Sequence, residues 1–381
     1  MGNSYFLPIG NSNDIFTGTD YLKEFNEIPE LNAILNIRAR AMASWELSLL
    51  STQTGKPAAN NETIVKILRT PNWFQAQVEF WRQSSLFRDI FGNEFIYFLT
   101  PSGMGNTYKG MFTLDPSRVV IKYNSKNQYF LEPTNEPVEY FYRVGYGKPL
   151  PLEKKNLIHL NDNRVNISTE KFLYGTSKVE SLHAPLANIR EAYKKRNIIL
   201  KMPIGIMSNG QSDAIGQAVP MDKDEKDLTR QALRNHGAHP VLTNLNVKYS
   251  DMNVNAANMG LFDEVREDVG RICDAYGVPY EILSSQKGVT FANLKEAKKQ
   301  LYEETIIPDA GEKVDALNMK LDTATKSWDI VADFKHLPVF SEDKKQRAIS
   351  FKQTVDGLKV AVEVGFMTVQ QARIELERFG I

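Results

Sequence analysis

The sequence predicts an α+β protein: helices first, an antiparallel meander after them, and a helix-rich remainder. Three observations carry this. Apolar residues recur at helical spacing over about 29–50 and 73–90. Between Gly92 and Leu160, short runs of sheet-favouring residues alternate with turn residues. Beyond residue 177 the helical period returns, interrupted by short extended pieces.

Residues 1–27 are polar and Gly/Asn-rich at their start and read as a flexible arm. Pro29 suits the first turn of a helix whose apolar face is Leu31, Ile34, Leu35, Met42, Trp45 and Leu49. A second helix, about 73–90, carries Trp73, Phe74, Val78, Trp81 and Phe87. Gly92-Asn93 ends it, and Phe95 to Leu99 reads as a strand. Further strands are expected at 118–123, 128–132, 138–144 and 157–160. A helix follows at 177–200, then strands at 202–207, 241–242 and 247–249, with an acidic-then-basic helix at 222–234. A helix at 261–276 stops at Gly277-Val278-Pro279. Helices at 291–306, 309–321 and 342–363 follow, with an extended piece at 328–334. In a last helix after Gly365, Thr368 and Gln371 have capping-box spacing. The core is expected to include Ile34, Trp45, Trp81, Phe95, Tyr97, Val119, Ile121, Ile189 and Ile272.

Bulk properties narrow the function. Lys+Arg and Asp+Glu are 46 each, so this is not a chain that grips nucleic acid through a large excess of positive charge. No apolar run reaches the ~18 residues of a membrane helix, and the N-terminus lacks the pattern of a secretion signal. A single cysteine, Cys273, cannot form an internal disulfide and fits a reducing compartment.

Catalytic sets are absent from the sequence as motifs: there is no GxxxxGK[ST], HExxH or GxSxG. His236 and His239 are close together but lack further ligands in sequence and read as a polar loop. Cys273 lies on an apolar-periodic helix and reads as core. Tyr174-Gly175-Thr176-Ser177-Lys178 has too few glycines for a phosphate cradle; Thr176 or Ser177 reads as a helix cap. Asp222, Asp224, Glu225 and Asp227 form the densest acidic run but alternate with Lys223 and Lys226, as on a solvated helix. No cofactor or metal is expected.

Several phrases carry a resemblance. They are Gly92-Asn93-Glu94-Phe95, Leu114-Asp115-Pro116-Ser117-Arg118-Val119 and Ile158-His159-Leu160 followed by Leu173-Tyr174-Gly175-Thr176-Ser177. Then come Tyr276-Gly277-Val278-Pro279-Tyr280-Glu281-Ile282-Leu283, Thr290-Phe291-Ala292-Asn293 leading to Ile307-Pro308, and Gly365 to Arg373. In this order they resemble the portal proteins of long-tailed bacteriophages over roughly residues 28–381.

The resemblance implies a non-enzymatic subunit of a virion ring of about twelve copies, closed by head-to-tail contacts. It implies an α+β wing, a helical stem, a small α/β clip, and double-stranded DNA passing the centre without sequence specificity during packaging and ejection. It implies partners: the major capsid protein, the terminase motor and a head–tail connector or adaptor. Assembly would take place in the host cytoplasm, with no membrane contact. On this basis residues 28–290 are expected to form the wing, 291–364 the stem and clip, and 365–381 a C-terminal helix. A crown region is expected to be small or absent. The helices at 291–306 and 342–363 would flank the narrow part of the ring, with 322–340 between them as clip. Lys295, Lys298, Lys299, Lys344, Lys345 and Arg347 are then the channel candidates. Trp328, Ile330 and Phe334 are the interface candidates, on a strand lent to a neighbouring subunit. The competing classes are another phage connector or assembly protein, which the α+β front half disfavours, and a phage nucleic-acid enzyme, which needs a carboxylate cluster for metal ions.

Overall fold

A computed structural model describes residues 4–8, 18–58, 63–100, 108–124, 138–145, 147–162, 173–201, 205–209, 222–224, 226–227, 247–251, 261–283, 291–325 and 328–378. The chain divides into two compact units, Met1–His183 with Gly270–Ile381, and Ala184–Val269. This is not the division expected at residue 290. Both passages between the units lie within or at the end of a helix, α6 (His183–Lys201) and α7 (Leu261–Tyr276). Sequence periodicity cannot mark a boundary that does not interrupt a helix.

The larger unit begins with β1 (Ser4–Pro8) and α1 (Gly18–Glu27), so the expected arm contains regular structure. Next come α2 (Pro29–Met42), β2 (Glu46–Ser51), α3 (Thr63–Arg69) and α4 (Gln77–Phe91). The first predicted helix stops at Met42, eight residues early. Residues 46–51 instead pair antiparallel with β11 (Trp328–Asp333), Leu49 opposite Ile330. A partner nearly three hundred residues away overrides the helical period, which local sequence cannot foresee. The second helix starts at Gln77, not at residue 73. Its expected first turn is a loop because the Asn72 Oδ1 accepts the N–H groups of Phe74 and Gln75 at 3.2 and 2.8 Å.

The remaining strands of this unit are β3 (Asn93–Leu99), β4 (Gly110–Leu114), β5 (Val119–Asn124), β6 (Val138–Tyr142), β7 (Leu150–Leu152) and β8 (Leu157–Asn161). They form two antiparallel sheets, β4-β3-β8 and β1-β5-β6-β7. Alternate residues point inward, so Phe95, Val119, Ile121 and Leu157 close one core with Leu173 and Tyr174. The Tyr174 hydroxyl reaches this core and accepts the Ile121 N–H at 2.9 Å. Of the nine expected core residues, eight are buried and Tyr97 is half-buried. Expected strands at 128–132 and 241–242 lie outside the described residues, as do His236, His239 and Glu225.

Gly92 ends α4 in the left-handed conformation, φ +68°, with its N–H donating to the Arg88 carbonyl at 2.8 Å. Any side chain there would collide with the backbone of Thr176 and Ser177, and one at Gly175 would collide with the Gly92 carbonyl. The Tyr174–Lys178 stretch is therefore a packed junction, not an anion cradle. Ser177 caps the short α5 (Lys178–Ser181): its Oγ accepts the Val179 N–H at 3.1 Å and donates to the Ile90 carbonyl at 2.6 Å.

The second unit contains nearly all of α6, the first half of α7, and the antiparallel pair β9 (Gly205–Asn209) and β10 (Val247–Asp251). Back in the larger unit, residues 291–325 form one helical path where two helices were expected. It comprises α8 (Phe291–Gln300), a π-helical stretch Leu301–Ile306, and α9 (Ile307–Thr325). Pro308 has no N–H, so the helix cannot keep its regular hydrogen bonds there. The wider turn just before it absorbs the irregularity and the path continues. After β11 come α10 (Ser341–Glu363) and α11 (Val369–Arg378). The expected capping box forms: the Gln371 side chain accepts the Thr368 N–H at 2.9 Å, and the Thr368 hydroxyl accepts the Gln371 N–H at 3.3 Å.

Trp81 is fully buried and meets Trp45 and Phe80 edge-on at 4.8 and 4.9 Å between ring centroids. Replacing it by Ala should cost about 3–5 kcal/mol in urea unfolding. A loss under about 1 kcal/mol would mean that the site collapses to fill the space or is open to solvent.

Candidate functional site

The most concentrated chemistry in the described residues is a buried ionic seat for α9. Asp309, Glu312 and Lys313 fall at i, i+3 and i+4, one face of that helix. Each finds a partner on a different element. Asp309 pairs with Arg38 of α2, Glu312 with Arg88 of α4, and Lys313 with Glu94 of β3 at 2.8 Å. Ala310, Leu317 and Leu321 bury the same face against the body, where Lys313 is itself only 1% exposed.

Arg38 is shared most widely. Its Nε donates to Asp89 at 2.9 Å, one terminal nitrogen to the Tyr276 carbonyl at 2.8 Å, and the other to Asp309. It thereby joins α2, α4, the end of α7 and the start of α9. Burial acts to lower its pKa, but Asp89 and Asp309 outweigh that and hold it above the usual guanidinium value. Burial pushes the Asp89 carboxyl up, against the pull of Arg38 and Lys178. Arg88 makes a parallel clamp, donating from Nε to Asp162 at 2.7 Å. Lys313 also donates to the Ser84 hydroxyl at 3.3 Å, and Ser84 donates to Glu94. The sequence reading gave none of these residues a role in an ionic network. A signal existed: Arg38 follows Ile34 and Leu35 on their own face, and Lys313 sits between Ala310 and Leu317, where an apolar residue is expected.

The channel candidates divide. Lys295, Lys298 and Lys299 lie on α8, with Lys298 exposed and Lys299 beside Glu303 at 3.9 Å. Ala297 and Leu301 of the same path are buried. Lys344, Lys345 and Arg347 lie on the first turns of α10, so the structure does not gather the six into one cluster on one helix.

The interface candidates lie within the packing of the subunit itself. Ile330 and Phe334 are 1% and 5% exposed inside the subunit, and Trp328 is half-buried opposite Ser51. The strand that was to be lent to a neighbour is already paired with β2. On its other edge the Asn318 side chain accepts the Ile330 N–H at 2.8 Å and donates to the Ile330 carbonyl at 3.1 Å. The described residues 328–340 begin with this strand, which pairs with β2 within the larger unit. Strand alternation turned the wrong set inward: Val331, not Ile330, faces out.

Cys273 is fully buried and its thiol is pushed up to about 12, chiefly by burial. Among the described residues no group of three or more His, Cys, Asp or Glu is placed to hold a metal ion, and no helix is long and apolar enough to cross a membrane.

The chain belongs to the phage portal protein family, whose family model matches residues 29–377. It is a structural portal subunit of the capsid vertex. A chain from the neck of a native GTA particle, determined with C12 symmetry, has the same fold: TM-score 0.64 and 18% identity over 97% of this chain and 95% of that one. A chain of the virion of a native gene transfer agent particle gives TM-score 0.64 at 17% identity, with the same coverage. An uncharacterised protein of Rickettsia bellii is 23% identical over 311 residues, 79% of this chain and 75% of that one.

The Glu94–Lys313 pair is testable by a double-mutant cycle. Lys313→Met strands a buried carboxylate and should cost about 3–5 kcal/mol. Combining it with Glu94→Gln should cost much less than the sum of the single changes. Additive losses in chemical denaturation would show that the pair is not coupled.

Proposed function

We propose that this chain is one copy in a closed ring of about twelve at the portal vertex, through which double-stranded DNA enters during packaging and leaves during ejection. Membership of the portal family over nearly the whole chain carries this reading. The C12 symmetry of the GTA neck supports the ring size. In this reading the ring docks on the major capsid protein, the terminase and a head–tail connector, assembles in the host cytoplasm, and does no catalysis of its own.

The wing is the larger unit. We assign stem and clip to the unit Ala184–Val269, not to 291–364. Its described residues include a helix, an antiparallel two-stranded pair and a returning helix, and in sequence it is inserted between two parts of one body. The channel role is kept for α8, whose Lys298 is exposed while Ala297 and Leu301 are buried and anchor the path. A lysine there repeats once per subunit. The resulting band of charge would centre DNA by many weak, salt-screened contacts. The balanced total of 46 cations and 46 anions supports passage over tight grip.

Native mass measurement and electron microscopy of the purified chain should show rings with a central hole; monomers at all concentrations and in particles would refute the assembly. Lys298→Glu combined with Lys299→Glu should leave rings intact and lower DNA packaging or retention. Normal packaging by that variant removes α8 from the channel.

A further inference from the structure

The larger unit carries an exposed aromatic knob that no contact among the described residues uses up. Trp73 is 80% exposed, and Phe74 and Val78 are each 60% exposed. Trp73 sits edge-on to Phe112 of β4 at 5.0 Å and to Phe74 at 5.8 Å. The loop beneath is held rigidly. Asn72 is 5% exposed; its side-chain amide donates to the Gln75 side chain at 2.9 Å and to the Met111 carbonyl at 3.2 Å. The Met111 N–H donates to the Pro71 carbonyl at 2.7 Å, and Gln75 donates on to Gln83 at 2.6 Å. Exposing a tryptophan on a braced loop wastes apolar area in water, whereas a pre-ordered aromatic anchor loses little freedom on binding.

The same unit carries a groove of about 620 Å³ between α9 and β11. Ile307, Ala310 and Val314 from α9 and Ile330, Phe334 and Phe340 from the other wall make it largely apolar. Its volume falls in the range of sites that enclose ligands of some tens of atoms, enough for two aromatic side chains. Asn318 occupies the backbone groups of Ile330 at the strand edge, so the groove is suited to side chains and not to an added strand.

Two further observations join knob to groove. Around the knob the described residues 63–82 and 108–113 carry exposed Lys66, Arg69, Arg82 and Lys109 against one acid, Glu79. The groove wall carries Asp315, Asp329 and Asp333 against Lys335. The charges are complementary. The two features also lie on opposite flanks: Phe112 is on β4, one edge of the sheet β4-β3-β8, while α9 packs against β8 at the other edge. A head-to-tail ring needs two different, complementary patches on opposite sides of each copy.

We propose that the occupant of the groove is a second copy of this chain: Trp73 and Phe74 of one subunit insert between α9 and β11 of the next. This rests on the ring reading above. The contact is an anchor within a larger interface, since two aromatics supply well short of the ~800 Å² per partner of a standard-sized one.

The experiment uses the full chain. Variant one, Trp73→Ala with Phe74→Ala, lacks the knob. Variant two, Gly311→Arg with Val331→Arg, fills the groove with like charge; a side chain at Gly311 meets nothing within 4 Å, and Val331 is 37% exposed, so folding should survive. Circular dichroism checks this. Each variant alone should lose rings, and an equal mixture should form one-to-one pairs and stop there, because one knob and one groove remain. In a second arm, Phe74→Cys and Val331→Cys in one chain should give disulfide-linked ladders under oxidation, with Cys273 silent in the core. Rings from wild type and from both variants, or no pairing on mixing, overturn the inference and leave the ring reading standing. A wild type that never forms rings overturns the ring reading itself.

Discussion

A single guanidinium sets the terms for the larger unit. Arg38 holds groups from α2, α4, α7 and α9, which come from sequence positions as far apart as 38 and 309. None of these links is local, so the helix that follows the π stretch is fixed to the body by residues the chain makes long before it. Removing a buried charge from such a set leaves its partners unpaired in a poor solvent for ions, which makes the arrangement intolerant of partial assembly. The groove beside α9 inherits its shape from this seat.

Ionic seating and apolar burial do different work along that helix. Ala310, Leu317 and Leu321 supply attraction without register, because apolar surface is indifferent to small slides. Asp309, Glu312 and Lys313 each take a charged partner on a different element, and together they fix rotation and height. The π stretch upstream then carries the geometric mismatch that so fixed a helix would otherwise pass to α8. Thr305 within it reaches across to the Gly277 carbonyl at 2.7 Å, and Tyr302 meets Ser44 at 3.1 Å, so the irregular turn is itself held.

Much of this was legible from sequence, because local rules governed it. Helix α7, the turn at Asp115-Pro116, the cap at Ser177 and the capping box at Thr368 follow from spacing and side-chain chemistry over a few residues. What escaped depended on distant partners. The strand at Glu46–Ser51 looks helical until Trp328–Asp333 is beside it. Trp73 and Phe74 look like a helix's apolar face until Asn72 turns the backbone away. Ile330 and Val331 differ by one step along a strand, and which of them faces in is decided by the sheet's partner and not by either residue. The boundary of the second unit was hidden because helices run up to or through it.

The Asn318 carboxamide on the outer edge of β11 has a consequence for how the chain survives before assembly. A two-stranded sheet with a bare rim would invite other copies to zip onto it indefinitely, giving fibrils in place of a particle. By occupying both backbone groups of Ile330, one amide side chain denies them to an added strand at the middle of that rim.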